Sequence, residues 1–252
     1  MRILLFLALA LAAALVARSA TQQPEPDPAF RAGQLRYPRV RDAYARYQAP
    51  VQVLLRRNGL MPERLELFVR AFKLGRRVEV WGRNQGTGPF VLLRTLPLAG
   101  TSGTLGPKRQ AGDGQIPEGF YAVNRFNAHS EYLLSLGLDY PNAADQLRTA
   151  PGLDPGDNIF VHGSTETIGC LPITDAGIRE LYVLAVEARA AGQLSIPVHI
   201  FPFELTPDQL TRRLQSPHLA FWRELAPGYQ YFETHHELPT VTVAATGTYV
   251  VR

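Results

Sequence analysis

Three apolar runs follow one another with almost nothing between them: Leu65–Phe72, Val78–Gly82 and Phe90–Leu96. Gly75 and the segment Asn84-Gln85-Gly86-Thr87-Gly88-Pro89 supply the turns. Short runs rich in Val, Phe and Leu and bounded by turn residues read as strands. Three in quick succession predict a β meander. The 21 glycines and 20 prolines among 252 residues carry the same constraint along the chain. They cut it into strands and short helices and exclude a helical bundle. Hydrophobic residues at 46% and charged residues at 19% are ordinary globular usage and exclude a disordered acidic tail, a collagen and a coiled coil. The length suits one domain of moderate size with an appendage.

Residues 20–37 are polar and Pro-rich and read as a linker. Val40, Tyr44, Tyr47, Val51, Leu54 and Leu55 recur at helical spacing. They predict an amphipathic helix from Val40 to Arg57, disturbed at Pro50 and ended by Asn58-Gly59. Residues 100–119 form a long Gly-rich loop, of a length that is functional or mobile in a compact domain. It contains no phosphate-binding G-x-x-x-x-G-K-[ST] motif. Phe120–Phe126, Asn158–Val161 and Ile196–Phe203 read as further strands. Asp175–Ala191 reads as a helix with Ile178, Leu181, Tyr182, Ala185 and Val186 on one face, Thr174 as N-cap and Gly192 as C-cap. Thr206-Pro207-Asp208-Gln209 begins another helix, Ser216-Pro217 opens a second, and Thr240–Val251 reads as a closing hairpin. There is no internal repeat.

Met1-Arg2, the apolar run Ile3–Ala17 and the small residues around Ala17-Arg18-Ser19 have the layout of a secretory signal peptide. The run is short for a hydrocarbon core of about 30 Å, so removal of residues 1–19 leaves no stable membrane span. It also takes Arg2 and Arg18 from a formal net charge of +4. Twelve Arg and Lys residues crowd the segment from Arg36 to Arg83, a pattern that favours an anionic partner. In an exported protein that partner is an envelope polymer or lipid headgroup, not nucleic acid.

The chain has a single cysteine, so neither an intrachain disulfide nor a cysteine-based metal cluster can form. Cys170 stands eight residues after His162, which ends a strand. The polar loop between them can fold the imidazole back onto the thiol. A thiolate is the nucleophile, and a nearby imidazolium lowers its pKa. The histidine then carries the proton to a leaving amine. Gly169 leaves room for a substrate carbonyl, and successive N–H groups there can face a developing oxyanion. His199 lies in a strand and reads as structural; His218, His235 and His236 fall in the C-terminal extension, and the adjacent pair reads as surface residues. His235-His236 lacks the i, i+4 spacing of a helical metal site.

These residues resemble the signature of the YkuD-type L,D-transpeptidase family, a His-Gly pair followed by [Ser/Thr]-x-Gly-Cys. Here the parts are His162-Gly163 and Thr167-Ile168-Gly169-Cys170. The match is closer to the YafK-like branch, with its short His-to-Cys loop and a Thr-Asp soon after, here Thr174-Asp175. It extends through Leu105-Gly106-Pro107-Lys108, Pro117-Glu118-Gly119-Phe120-Tyr121, Leu138-Asp139-Tyr140-Pro141 and Val198-His199-Ile200-Phe201-Pro202-Phe203. Two positions depart from the wider family: Ile168 replaces a frequent His, and Pro172 a frequent Arg or Asn.

The resemblance implies a mixed α+β domain with a β-sandwich core of the YkuD type, an N-terminal helix and a helical C-terminal extension. The divisions are residues 1–19 (signal), 20–62 (linker and helix), 63–203 (catalytic domain) and 204–252 (extension). It implies a periplasmic enzyme that attacks the carbonyl of an L-centred residue joined to a D-centred one in peptidoglycan stem peptides. Cys170 would be the nucleophile and His162 the general base and acid. Gly163 would orient the imidazole through its carbonyl, with Ser164 next. The N–H groups of Gly169 and Cys170 would form the oxyanion hole, and Thr167 fills the family's Ser/Thr position. With Pro172 in place of a charged residue, Lys108 and Arg109 become the candidates for reading a substrate carboxylate, and His129 for lining the cleft. No metal or organic cofactor is implied. The thioester passes to an amine in a transpeptidase. It passes to water in an endopeptidase or amidase, including one that cuts peptidoglycan from an outer-membrane lipoprotein. A non-catalytic peptidoglycan-binding protein has no need of this Cys-His-Gly set. A papain-like protease has the opposite order of Cys and His.

Overall fold

The computed structural model describes residues 25–252, so the expected signal segment lies outside the described residues. Within the stretch read as a linker, Pro28–Gln34 forms a helix (α1), with Asp27 Oδ1 accepting from Phe30 N at 3.1 Å and proline at its first position. Pro38–Arg57 follows as a 20-residue helix (α2) that carries Pro50 without breaking. A short 3-10 turn, Pro62–Arg64, leads into the predicted meander: β1 (Leu65–Phe72), β2 (Arg77–Asn84) and β3 (Thr87–Pro97). The remaining sheet strands are β4 (Gly119–Asn127), β5 (Ser135–Leu138), β6 (Phe160–His162), β7 (Leu171–Pro172) and β8 (Ile196–Phe201).

All eight belong to one continuous curled sheet in the order β3-β2-β1-β8-β4-β5-β6-β7. The expected mixed α+β core is thus built on a single ladder. β1 and β8 run parallel at its centre, and β6 and β7 run parallel at its edge. The central strand β1 is buried at seven of its eight positions, as a strand covered on both faces must be.

Helix α3 (Ala143–Arg148) follows β5, and α4 (Thr174–Ala190) follows β7. The single apolar face expected for α4 is too narrow. Val183, Leu184 and Ala188 are buried as well as Ile178, Leu181, Tyr182, Ala185 and Val186, because the helix lies between the sheet and the pair α1 and α2. Thr174 Oγ1 accepts from Gly177 N at 3.1 Å, the bond of an N-cap.

The C-terminal part packs over a second core of Phe72, Phe201, Phe203, Trp222, Leu225 and Tyr229. It comprises α5 (Pro207–Thr211), α6 (Leu219–His235) and a hairpin of β9 (Val241–Val243) and β10 (Tyr249–Val251). Thr206 caps α5 as read, but α6 begins at Leu219 rather than at Ser216-Pro217. His199 is buried against Phe68 and Phe120, and burial pushes its pKa down to about 3. Among the described residues no helix is long and apolar enough to cross a membrane.

The Gly-rich loop has no regular structure, yet buried polar groups hold it. Lys73 Nζ donates to the carbonyls of Gly106 and Ile116, each at 2.9 Å, and pairs with Glu118 Oε1 at 2.9 Å. Glu118 in turn accepts from Gly106 N at 2.7 Å and from Trp222 Nε1 at 2.8 Å.

Candidate active site

β6 and β7 pair in parallel, with Val161 opposite Leu171 and His162 opposite Pro172. The connection between them must turn back on itself, and residues 163–170 do so. Cys170, one residue before Leu171, is thereby set beside Phe160, one residue before Val161. Phe160 N donates to Cys170 Sγ at 3.4 Å, and the thiol donates to the Asn158 carbonyl at 3.6 Å. The histidine and the cysteine line one cavity of about 430 Å³, together with Ile168, His129, Tyr132 and Asn158.

The imidazole of His162 is buried, 2% exposed, and stacks on Tyr132 with ring centres 4.5 Å apart. Its Nδ1 lies 2.6 Å from the Gly163 carbonyl oxygen. A carbonyl can only accept, so Nδ1 carries the proton and Nε2 keeps the free lone pair. Burial holds the His162 pKa below its ordinary 6.5, with the Gly163 carbonyl opposing. Burial likewise raises the Cys170 thiol above 9.0, opposed by the Phe160 N–H and the charge of Lys108. Desolvation thus works against both charges of the expected thiolate and imidazolium pair.

The short loop is fastened by its own side chains. Thr167 Oγ1 donates to the Cys170 carbonyl at 2.8 Å and accepts from Gly169 N at 3.1 Å. Gly169 N–H is thus engaged by Thr167 in this structure, which leaves Cys170 N–H of the two expected oxyanion donors. Gly169 has φ +140°, and a side chain there would meet the Gln115 carbonyl at 3.0 Å. Ser164, at φ +66°, donates its N–H to Asp175 Oδ1 at 2.9 Å. Its hydroxyl accepts from Glu166 N at 3.5 Å, and it does not line the cavity.

The two expected carboxylate readers are spent elsewhere. Lys108 Nζ pairs with Asp113 at 2.6 Å and donates to the Gln110 carbonyl at 2.8 Å. Arg109 pairs with the buried Asp145 at 3.1 Å and lies over the Phe221 ring. Neither lines the cavity, whereas His129 does. Sequence reasoning missed Tyr132, Asn158 and Asp175. Tyr132 was visible as the aromatic in the same loop as His129, and Asn158 as the polar residue opening β6.

Comparison with known proteins bears on this geometry. No family model matches the chain. The protein of Escherichia coli K12 named "Putative L,D-transpeptidase YafK" is 35% identical over 187 residues, 73% of this chain and 73% of its own length. The namesake from Escherichia coli O157:H7 matches to the same extent. The chain belongs to the YafK-type L,D-transpeptidase family. Among solved structures, the helical cell shape determining protein Pgp2 of Campylobacter jejuni aligns with TM-score 0.43 and 16% identity, over 72% of this chain and 73% of its own. A mutant form of Pgp2 aligns at 18% identity and TM-score 0.43 over 67% of this chain, which spans only 56% of that solved chain. Bd1075 of Bdellovibrio bacteriovorus aligns with TM-score 0.39 and 16% identity, over 71% and 75%. In this YafK-type chain the cysteine, the histidine and the carbonyl that holds it occupy one corner of the sheet edge.

Proposed function

We propose that the chain is an exported, periplasmic cysteine acyltransferase, an L,D-transpeptidase acting on peptidoglycan stem peptides. The observation that carries this reading is the His162 ring. Its Nδ1 is locked by the Gly163 carbonyl, and its buried imidazole shares a cavity with the one thiol of the chain. In the first step Sγ of Cys170 attacks the carbonyl of the L-centred residue while Nε2 of His162 takes the thiol proton. The oxyanion accepts from Cys170 N–H. On collapse the C–N bond breaks, and His162 returns the proton to the departing amine of the D-centred residue. An acceptor amine then attacks the thioester, gives its proton to His162 and restores the thiol. Membership of the YafK-type family and a formal excess of positive charge support a cell-wall substrate.

The test uses purified protein without residues 1–19, beside Cys170→Ala. Both are incubated with tetrapeptide-rich muropeptides and with sacculi carrying attached lipoprotein, and products are read by mass spectrometry. The expected result is a peptidyl adduct on Cys170 and new cross-links between L-centred residues, or exchange of the terminal D-Ala. Lipoprotein released with added water identifies a hydrolase using the same thioester. Identical products from wild type and Cys170→Ala remove the catalytic reading and leave a peptidoglycan-binding protein.

A further inference from the structure

With Lys108 and Arg109 engaged in internal ion pairs, the Cys170 cavity has no charge reader from the Gly-rich loop. The structure supplies one from a different strand. A second cavity of about 370 Å³, lined by Asn124, Arg125, Leu138, Tyr140, Asp157 and Asn158, meets the thiol cavity at Asn158, which lines both. Asn158 is also the residue whose carbonyl the thiol touches. Arg125 Nη2 donates to Asn158 Oδ1 at 3.1 Å, and its guanidinium carbon sits 4.8 Å from the centre of the Phe160 ring. The backbone of that same Phe160 donates to Sγ. The arginine therefore rests on the two residues that flank the nucleophile.

How it gets there is built into the sheet. Arg125 in β4 pairs with Gly137 in β5, and Gly137 pairs with Phe160 in β6. The three positions form one row across three strands, and the middle one has no side chain. A Cβ at Gly137 would meet Asn124 Oδ1 at 2.9 Å, Arg125 Nε at 3.1 Å and Arg125 Cβ at 3.2 Å, so the arginine stem and the Asn124 amide share the space that residue 137 leaves empty. The ladder between β4 and β5 also shifts register between Val123 and Arg125, an irregularity of the kind that re-aims a side chain. Arg125 is exposed, and among the described residues no carboxylate forms an ion pair with it. Asp157 shares the cavity wall without pairing to it.

We infer that Arg125 is a specificity-determining residue: it binds a carboxylate of the substrate beside the bond that Cys170 attacks. The ligand class is a peptide with a free carboxylate near the scissile bond. A guanidinium with a planar fork of donors and one face on an aromatic ring is well suited to that group. This inference rests on the proposed reading of the Cys170 site, but its test does not require turnover.

The experiment measures binding to the Cys170→Ala protein by calorimetry. The probes are stem tetrapeptides that are identical except for amidation of one carboxylate at a time. Amidation at one position is expected to weaken binding about ten- to a hundred-fold, the worth of one charge-assisted contact. That penalty is expected to collapse to near unity in Cys170→Ala/Arg125→Gln, to persist in part in Cys170→Ala/Arg125→Lys, and to shrink in Cys170→Ala/Gly137→Ala, where the charge remains but its path is filled. Thermal melts confirm that each variant is folded. Two results overturn the inference: no single amidation that weakens binding more than about two-fold, or a penalty unchanged in the Arg125→Gln background. Failure of Cys170 acylation in the earlier test leaves this readout intact, so the two ideas fail separately.

Discussion

Two loops meet at the candidate site, and they are held at different depths, one by a buried ion pair and one by bonds nearer the surface. The loop of residues 100–118 is long and Gly-rich, yet it is anchored by a buried pair, Lys73 and Glu118, that binds its backbone at Gly106 and Ile116. The loop of residues 163–169 is short and exposed at its tip, with Ile168 at 89%, and it is held by the Thr167 hydroxyl and by the bond from Ser164 N to Asp175 Oδ1. The long loop closes on the short one at both ends. Ala99 N donates to the Pro172 carbonyl at 2.8 Å next to Gly100, which packs on the Thr165 carbonyl, and the Gln115 carbonyl abuts Gly169. Length therefore does not decide how a segment is fastened. The long loop is tied by a desolvated ion pair, and removing one partner leaves an uncompensated buried charge.

The largest expected effect comes from removing the anchor of the long loop. Glu118→Ala leaves the Lys73 ammonium buried without its carboxylate, and should cost about 3–5 kcal/mol in urea unfolding. It should also open residues 100–118 to limited proteolysis. A loss below about 1 kcal/mol would mean the anchor is not what orders this loop. Next is the contact between the loops. Gly169→Ala forces a side chain onto φ +140° against the Gln115 carbonyl. It should cost about 1–3 kcal/mol and abolish Cys170 acylation, since the displaced residue is the nucleophile's neighbour. Thr167→Val removes two bonds of the short loop and should cost about 1 kcal/mol, with a larger relative loss in acylation rate than in stability.

The pH profile sharpens the comparison further. His162 titrates below its ordinary 6.5 because burial disfavours its charged form. The basic imidazole then survives into mild acid, and the acidic limb of kcat/KM should fall below pH 6.5. Cys170 titrates above 9.0 for the same reason, so alkylation of the thiol without substrate should still be rising at pH 9. A plateau by pH 7 would show a preformed thiolate. The smallest effect is at the exposed tip: Ile168→Ser should leave stability within about 0.5 kcal/mol and alter KM alone.

The nearness of His162 to Cys170 in the candidate site was legible because it is local. His162, Gly163, Gly169 and Cys170 fall within nine residues, and a strand followed by a tight return can only set them side by side. The meander was legible for the same reason. The neighbouring cavity was not. Arg125 comes to lie against Asn158 and Phe160 through a register shift in β4 and a missing side chain in β5, and neither leaves a pattern along the chain. Lys108 and Arg109 looked free because their partnership depends on how the loop folds: Asp113 turns back onto Lys108, and Asp145, which takes up Arg109, lies 36 residues away. Helix α1 escaped because its proline-rich segment reads as a linker until Asp27 caps it and α4 offers a surface to lie on. Spacing brings a histidine near a cysteine but says nothing of how dry the place is, so the direction in which burial moves both groups was not legible in the sequence.

It is the thiolate, not the thiol, that attacks peroxide and disulfides. Burial that raises the Cys170 pKa, and the contact of its thiol with the Asn158 carbonyl, both work against that chemistry. No second cysteine exists in this chain to rescue an oxidised one by forming a disulfide. On the proposed reading, the burial that disfavours a free thiolate before a substrate arrives is the same burial that slows its oxidation.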